Sequence, residues 1–297
     1  MNAKLIYKII TASLLSMLLF TYCSNAKTQS KENSTVDNTT KGLTKVAETD
    51  TLLATPESVL YEATRDVIYV SNVNGDPIAK DGNGFISIIN LKGEIIKREW
   101  IKGLDAPKGM GIYNNHLFVT DINQVIEIDV EKGEIVNRFV ANGAKFLNDI
   151  AIDATGRVFI SDMTTSDIYL LSNSKLEKWF YSDKFNYLNG LFILDNSLLA
   201  GNSNTIYAIN LDSKEMTEFI KESGGIDGLE AIGNGAFIVS DWTGNISKVS
   251  PNTPKELLLS TVDKKINAAD IDFIIEKKIL LVPTFFDNRV MIYSYSE

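Results

Sequence analysis

One cysteine and one histidine stand in 297 residues. A single cysteine forms no intramolecular disulfide and no thiolate metal cluster, and a single histidine excludes any site that needs two imidazoles. A serine-hydrolase triad has only His116 to draw on. That residue falls in NNHLFVTD, a strand-like run, where an ordinary strand residue is expected. Positive charge is scarce as well: 29 Lys and Arg against 38 Asp and Glu leave a formal charge of −9. Such a surface repels phosphate backbones, so no nucleic-acid partner is expected. The N-terminal apolar run, residues 9–20, is too short to span a bilayer comfortably. What remains is ordinary globular composition, 44% hydrophobic and 23% charged.

That N-terminal run follows Lys4 and Lys8 and ends close to Cys23, in FTYC. The arrangement resembles a bacterial lipoprotein signal, with residues 1–22 removed and Cys23 acylated. An uncleaved anchor or a plain secretory signal are the alternatives, since Tyr22 stands where a small residue is usual. The lipoprotein reading implies an exported protein of the bacterial cell envelope, held to a membrane only by its lipid anchor. Residues 23–42 are polar and nearly free of large apolar side chains. They cannot bury enough surface to offset ordering entropy, so a flexible tether is expected. One domain, residues 43–297, follows.

Within that domain the sequence repeats. Six segments align: ESVLYEATRDVIYVSN from Glu57, KGMGIYNNHLFVTD from Lys108, NDIAIDATGRVFISD from Asn148, NGLFILDNSLLAGN from Asn189, DGLEAIGNGAFIVSD from Asp227 and ADIDFIIEKKILLVP from Ala269. Their starts step by 51, 40, 41, 38 and 42 residues. A period near 40 built of short strands marks a propeller blade. Further strand-like runs follow each start, such as DIYLLS and LEKWFY in the third unit. The long first step is absorbed by a Gly- and Asp-rich insert, residues 72–84, read as a loop over the channel mouth that bears on specificity. The sixth unit ends at RVMIYSY with no fourth strand. An unpaired edge there is a liability. LTKVAETD, residues 43–50, is the unassigned strand-like segment that can cover it. The expectation is an all-β, six-bladed β-propeller with four strands per blade, closed by this N-terminal strand.

The innermost strand of a blade runs beside the central channel, and its entry residue points to the channel mouth. The aligned entries are Glu57, Lys108, Asn148, Asn189, Asp227 and Ala269. Four of the six carry side-chain oxygens. Two carboxylates and two amides form a hard, all-oxygen set that suits Ca²⁺ best, with Mg²⁺, Mn²⁺ or Zn²⁺ as alternatives. Asn and Asp also frequent turns for local reasons, but four at one aligned position of a repeat favour a shared role. Asp270, next to Ala269, is expected to point away from the channel. Trp100, Trp179 and Trp242 are expected in blade packing.

The ordered set PESVLYEATRDVIYVSN, LNDIAIDATGRVFISD, YLNGLFI and IDGLEAI resembles the senescence marker protein, gluconolactonase and luciferin-regenerating enzyme family, over roughly residues 55–295. The resemblance implies a divalent cation held by Glu57, Asn148, Asn189 and Asp227, and hydrolysis of a lactone or related ester. Asp227 is then the general base or nucleophile. Lys108, in PKGMGI, departs from the family and looks more like an NHL-type repeat. Its roles are oxyanion stabilisation or a structural ion pair, with Glu57 as the partner in view. A non-catalytic, envelope-tethered propeller that binds a small ligand or protein is the alternative function. A monomer is expected.

Overall fold

The computed structural model describes residues 42–297. The expected signal segment, Cys23 and all but the last residue of the expected tether lie outside the described residues. Each repeat folds as an antiparallel four-stranded sheet, and six such sheets form the ring of a propeller. Blades 1 to 5 take their strands in chain order. Blade 6 is composite, with Asp272–Ile274, Ile279–Pro283 and Val290–Tyr295 joined on the outside by Leu43–Glu48. Leu43 pairs with Tyr295 and Lys45 with Tyr293, so the N-terminal strand closes the ring as expected. Leu43 itself is fully buried with Leu280, Tyr293 and Ile238 of the neighbouring blade. The only helical elements among the described residues are two single 3₁₀ turns, Val262–Lys264 and Phe285–Asp287.

Strand position decides burial. Second strands such as Val158–Asp162 and Ala236–Ser240 are buried along their whole length, because both sheet faces meet an adjacent blade. Outermost strands such as Glu134–Val140 (EIVNRFV) face water along most of their length. The core is accordingly divided among the spaces between blades. One cluster joins Phe159 and Ile168 of blade 3 to Leu198 and Tyr207 of blade 4. Trp100 stacks on Tyr69 with ring centroids 5.0 Å apart, and Trp179 meets Phe159 edge-on at 4.9 Å. Both serve blade packing, as expected.

Polar stitches near the axis join neighbouring blades. Thr120 donates to the carbonyl of Asn148 at 2.6 Å, and Ser240 to that of Ala269 at 2.7 Å. Asp149 accepts the Leu191 amide at 2.6 Å. Between blades 6 and 1, Ser58 donates to Asp270 at 2.6 Å and the Tyr61 amide to Asp272 at 2.6 Å. The glycines of the K-G and D-G pairs are required by this closeness. A Cβ on Gly109 would lie 2.5 Å from the Asn148 carbonyl oxygen, and one on Gly228 would lie 2.4 Å from the Ile271 amide nitrogen. Any side chain there would push the next blade outward.

Candidate functional site

The entry residues are aimed in two ways, by irregular pairing at the strand head or by an amide anchor before the strand. In blades 1, 2 and 3 the register between first and second strands slips across the segments holding Glu57, Lys108 and Asn148. A bulge of this kind re-aims a side chain out of the sheet's alternation. This is why Asn148 interrupts an otherwise apolar strand. In blades 4 and 5 the entry residue precedes the inner strand and is pinned by its own amide. Asn189 donates to the Gly201 carbonyl at 3.0 Å, and Asp227 to that of Ser240 at 2.8 Å.

Glu57, Lys108, Asn148, Asn189 and Asp227 all line one cavity of about 490 Å³ at the channel mouth. All five are buried. The Asn189 amide donates to Asp227 Oδ1 at 3.2 Å across the seam between blades 4 and 5. Glu57 Oε2 and Asn189 Oδ1 are buried with no hydrogen-bond partner. Unsatisfied oxygens of this kind are costly and rare. Among the described residues no three His, Cys, Asp or Glu side chains come together as a metal-holding group. The oxygen set here is instead two carboxylates and two amides.

The carboxyl groups of the channel are poorly tolerated as anions. Burial, reinforced by the charge of Asp227, holds the Glu57 carboxyl well above the usual range, against the pull of Lys108. Burial pushes Asp227 up to about 7, opposed by the Asn189 hydrogen bond and helped by Asp149 and Asp241. Asp149 rises to about 7, again through burial, although the amides of Leu191 and Ile150 donate to it. Glu230 and Asp272, three residues beyond the entries of blades 5 and 6, are half-buried acids that continue the run. Burial raises both, Asp272 to about 6.

Lys108 is 1% exposed. Its ammonium donates to the carbonyls of Pro77 and Ala106, at 3.0 and 2.9 Å, and lies 4.5 Å from the Phe146 ring centroid. Burial lowers its pKa to about 8, against the pull of Glu57 and Asp121. The expected ion pair with Glu57 is replaced by two backbone carbonyls, one of them in the 72–84 insert. That insert contributes only Pro77 to the cavity wall, less than its expected role over the mouth.

Asp270 is turned into the seam with blade 1, where it accepts from Ser58. It does not line the cavity, but it is no bystander to the channel. Burial, then the charges of Asp149 and Glu57, hold it well above the usual carboxylate range. His116 does not line the cavity either. It opens the second strand of blade 2, with Nδ1 2.7 Å from Glu127 Oε1.

Trp242 corrects the packing expectation. It is 42% exposed and lines the cavity, its ring meeting Phe285 at 4.6 Å and Phe286 at 6.2 Å. Phe146, Met163, Tyr187 and Ile226 complete this apolar wall. The wall residues come from two sets of loops, those before the inner strands and those after the second strands, which open at the same end of the ring. The legible signal is an apolar residue just after the second strand-like run, where a turn favours polar ones: Met163 after VFISD, Trp242 after IVSD, Phe285 after LVPT.

No family model matches the sequence, and no curated protein matches it. Solved structures match the fold. A catalytically inactive His-to-Ala variant of virginiamycin B lyase from Staphylococcus aureus, with quinupristin, matches at TM-score 0.59 and 16% identity, over 86% of this chain and 99% of that one. A protein provisionally assigned as a gluconolactonase matches at 0.62 and 15% identity, over 86% and 92%. A streptogramin B lyase matches at 0.62 and 12% identity, over 86% and 97%. At these identities the likeness is one of fold: this chain is similar to gluconolactonase-like and streptogramin B lyase-like six-bladed propellers.

Proposed function

We propose that this propeller is a divalent-cation-dependent hydrolase of a lactone or related ester, acting at the cavity floor. One observation carries the reading: Glu57 Oε2 and Asn189 Oδ1 are buried without a partner in the cavity that Asn148 and Asp227 also line. A cation satisfies both oxygens and neutralises two carboxyl groups whose anions burial and mutual repulsion disfavour. The donor set fits Ca²⁺ first, and Mg²⁺, Mn²⁺ or Zn²⁺ as alternatives. Glu57, Asn148, Asn189 and Asp227 would hold the ion.

When bound, such a cation polarises an ester carbonyl and makes water more acidic. The chain's own groups do the rest. Asp227, the carboxylate shared between the oxygen set and the open cavity, takes the proton of the attacking water or attacks the carbonyl itself. Asn189 holds that carboxylate in place through its amide hydrogen bond. Lys108 supplies positive charge for the oxyanion. The aromatic wall excludes water from one side of the reacting ester.

The lyase neighbours supply an alternative chemistry, but the inactive variant among them has lost a histidine, and the cavity of this chain is lined by none. A non-catalytic binding propeller is the second reading. Lys108 favours it, because a buried ammonium beside Glu57 offsets part of the charge that a cation is invoked to cancel. Metal content of the purified protein, followed by proton release from a panel of lactones and phosphotriesters, separates the two. A metal-free protein that turns over nothing supports the second reading.

We also propose export and lipid anchoring through Cys23, with the propeller as a monomer in the bacterial envelope. Growth with a labelled fatty acid tests the anchor, which is abandoned if the protein stays unlabelled.

A further inference from the structure

We infer that the substrate class is a lactone or ester bearing an aryl or alkyl tail, seated against the Trp242–Phe285–Phe286 wall, rather than a polyhydroxylated sugar lactone. The inference rests on the hydrolase reading for the words lactone and ester, and on the wall alone for the tail.

The cavity separates its chemistry by depth. Polar side chains gather at the floor, where five entry residues meet. Above them the wall is mostly carbon and sulfur, from Phe146, Met163, Tyr187, Trp242, Phe285 and Phe286, with the Tyr187 hydroxyl and the Trp242 indole N–H as its polar edges. Trp242, Phe285 and Phe286 form one edge-to-face cluster, with centroids 4.6, 4.8 and 6.2 Å apart. Phe286 is 67% exposed and Tyr187 66% exposed, so large aromatic surface is left facing water at the mouth. Tyr187 and Phe285 also sit at φ +55° and +47°, a backbone region that bulky side chains rarely adopt.

Apart from the Tyr187 hydroxyl and the Trp242 N–H, the polar groups of this wall have little left to offer a sugar. The Asn202 amide donates to the Lys184 carbonyl at 3.1 Å, and its oxygen accepts the amides of Asn204 and Thr205 at 2.9 and 2.8 Å. Ser203 Oγ lies 3.4 Å from the Asn186 amide nitrogen. The Pro77 carbonyl is taken by Lys108. Ring hydroxyls placed here would lose water and gain few hydrogen bonds, which is unfavourable. A tail gains from the same surface, and about 490 Å³ falls in the range of sites for drug-sized ligands, roughly 300–1,000 Å³.

The test uses two matched series on the cation-loaded protein. The first is a set of γ-lactones with alkyl tails from none to six carbons, plus a phenyl-substituted member and glucono-δ-lactone, read as kcat/KM. The second is the corresponding γ-lactams, which resist hydrolysis, read as affinity by calorimetry. Each methylene that reaches the wall is expected to raise kcat/KM and lactam affinity about fourfold. Phe286→Ala, at an exposed position that folding does not need, and Trp242→Ala should flatten both series. Trp242→Phe should largely restore the slope in both series.

The outcomes are distinguishable. Lactams that bind with a steep tail dependence, beside lactones that are not hydrolysed, keep the ligand class and defeat the hydrolase reading. Glucono-δ-lactone turned over well, with no gain from tails, overturns the inference and leaves the hydrolase reading standing. A flat lactam series with no turnover overturns both.

Discussion

Asn189 of blade 4 donates its side-chain amide to Oδ1 of Asp227 in blade 5, at 3.2 Å, and its own carbonyl oxygen is left buried and unpartnered. Two neighbouring blades thus offer adjacent oxygens to one cavity. Exchanging Asp227 for asparagine removes the proton acceptor and keeps the shape. Asp227→Asn should lower lactone kcat/KM by at least about 100-fold, in line with the loss of a general base. Because burial already disfavours the Asp227 anion, the variant's melting temperature without cation should match or exceed that of the wild type. Rate and thermal melt are both read on the same preparation.

The cation-free protein should lose stability as pH rises. Burial holds Asp149 and Asp227 at about 7, whereas an unfolded Asp titrates near about 4. An acid whose folded pKa is raised stabilises the fold fully below the unfolded value, and that contribution is lost as pH climbs through the folded one. Between pH 5 and pH 8 the melting temperature in chelator should therefore fall, by roughly 5 °C or more. Saturating Ca²⁺ should reverse most of the fall at pH 8. A melt that is flat with pH contradicts this electrostatic account.

Asn189→Asp places a third carboxylate among oxygens that are already poorly tolerated as anions. Cation affinity should rise by about tenfold or more, preference among divalent ions should change, and the cation-free form should be less stable at pH 8 than the wild type. Competition titrations with Ca²⁺, Mg²⁺ and Mn²⁺ read the first two effects.

Lys108→Met tests two roles of one ammonium. It deprives the Pro77 and Ala106 carbonyls of their donor, at a cost of about 1–3 kcal/mol, and hydrogen exchange should quicken across residues 74–83. If Lys108 serves the oxyanion, kcat falls about tenfold or more while KM changes little. Loss of stability with kcat intact assigns Lys108 to holding the insert alone.

Ring closure depends on Leu43, which is fully buried in the strand paired to Val290–Tyr295. Leu43→Ala should cost about 2–5 kcal/mol. Deleting residues 43–48 should expose the Val290–Tyr295 edge and bring aggregation on mild heating. Equilibrium unfolding in urea measures the first, and light scattering the second.

The ring is legible in the sequence because its cause is periodic: one strand-like start recurs near every 40 residues, and the truncated sixth unit leaves an edge that only residues 43–50 can cover. The entry residues are legible for the same reason, since an aligned position in a closed ring faces a common axis. The aromatic wall is not. Trp242 and Phe285 lie in loops of different blades, and loop shape, not period, brings their rings within 4.6 Å. Lys108 shows another limit. A lysine beside a glutamate suggests an ion pair, but the insert places the Pro77 carbonyl nearer. Asp270 is legible too: it faces the seam with blade 1 and not the cavity, as its place next to Ala269 leads one to expect.

Calorimetric titration of Ca²⁺ into chelator-treated protein, beside the Glu57→Gln, Asn189→Ala double variant, bears most directly on the oxygen set. The account predicts one ion per chain for the wild type and at least about a 100-fold loss of affinity in the double variant. Uptake that is absent, or that persists unchanged when both unpartnered oxygens are altered, contradicts it.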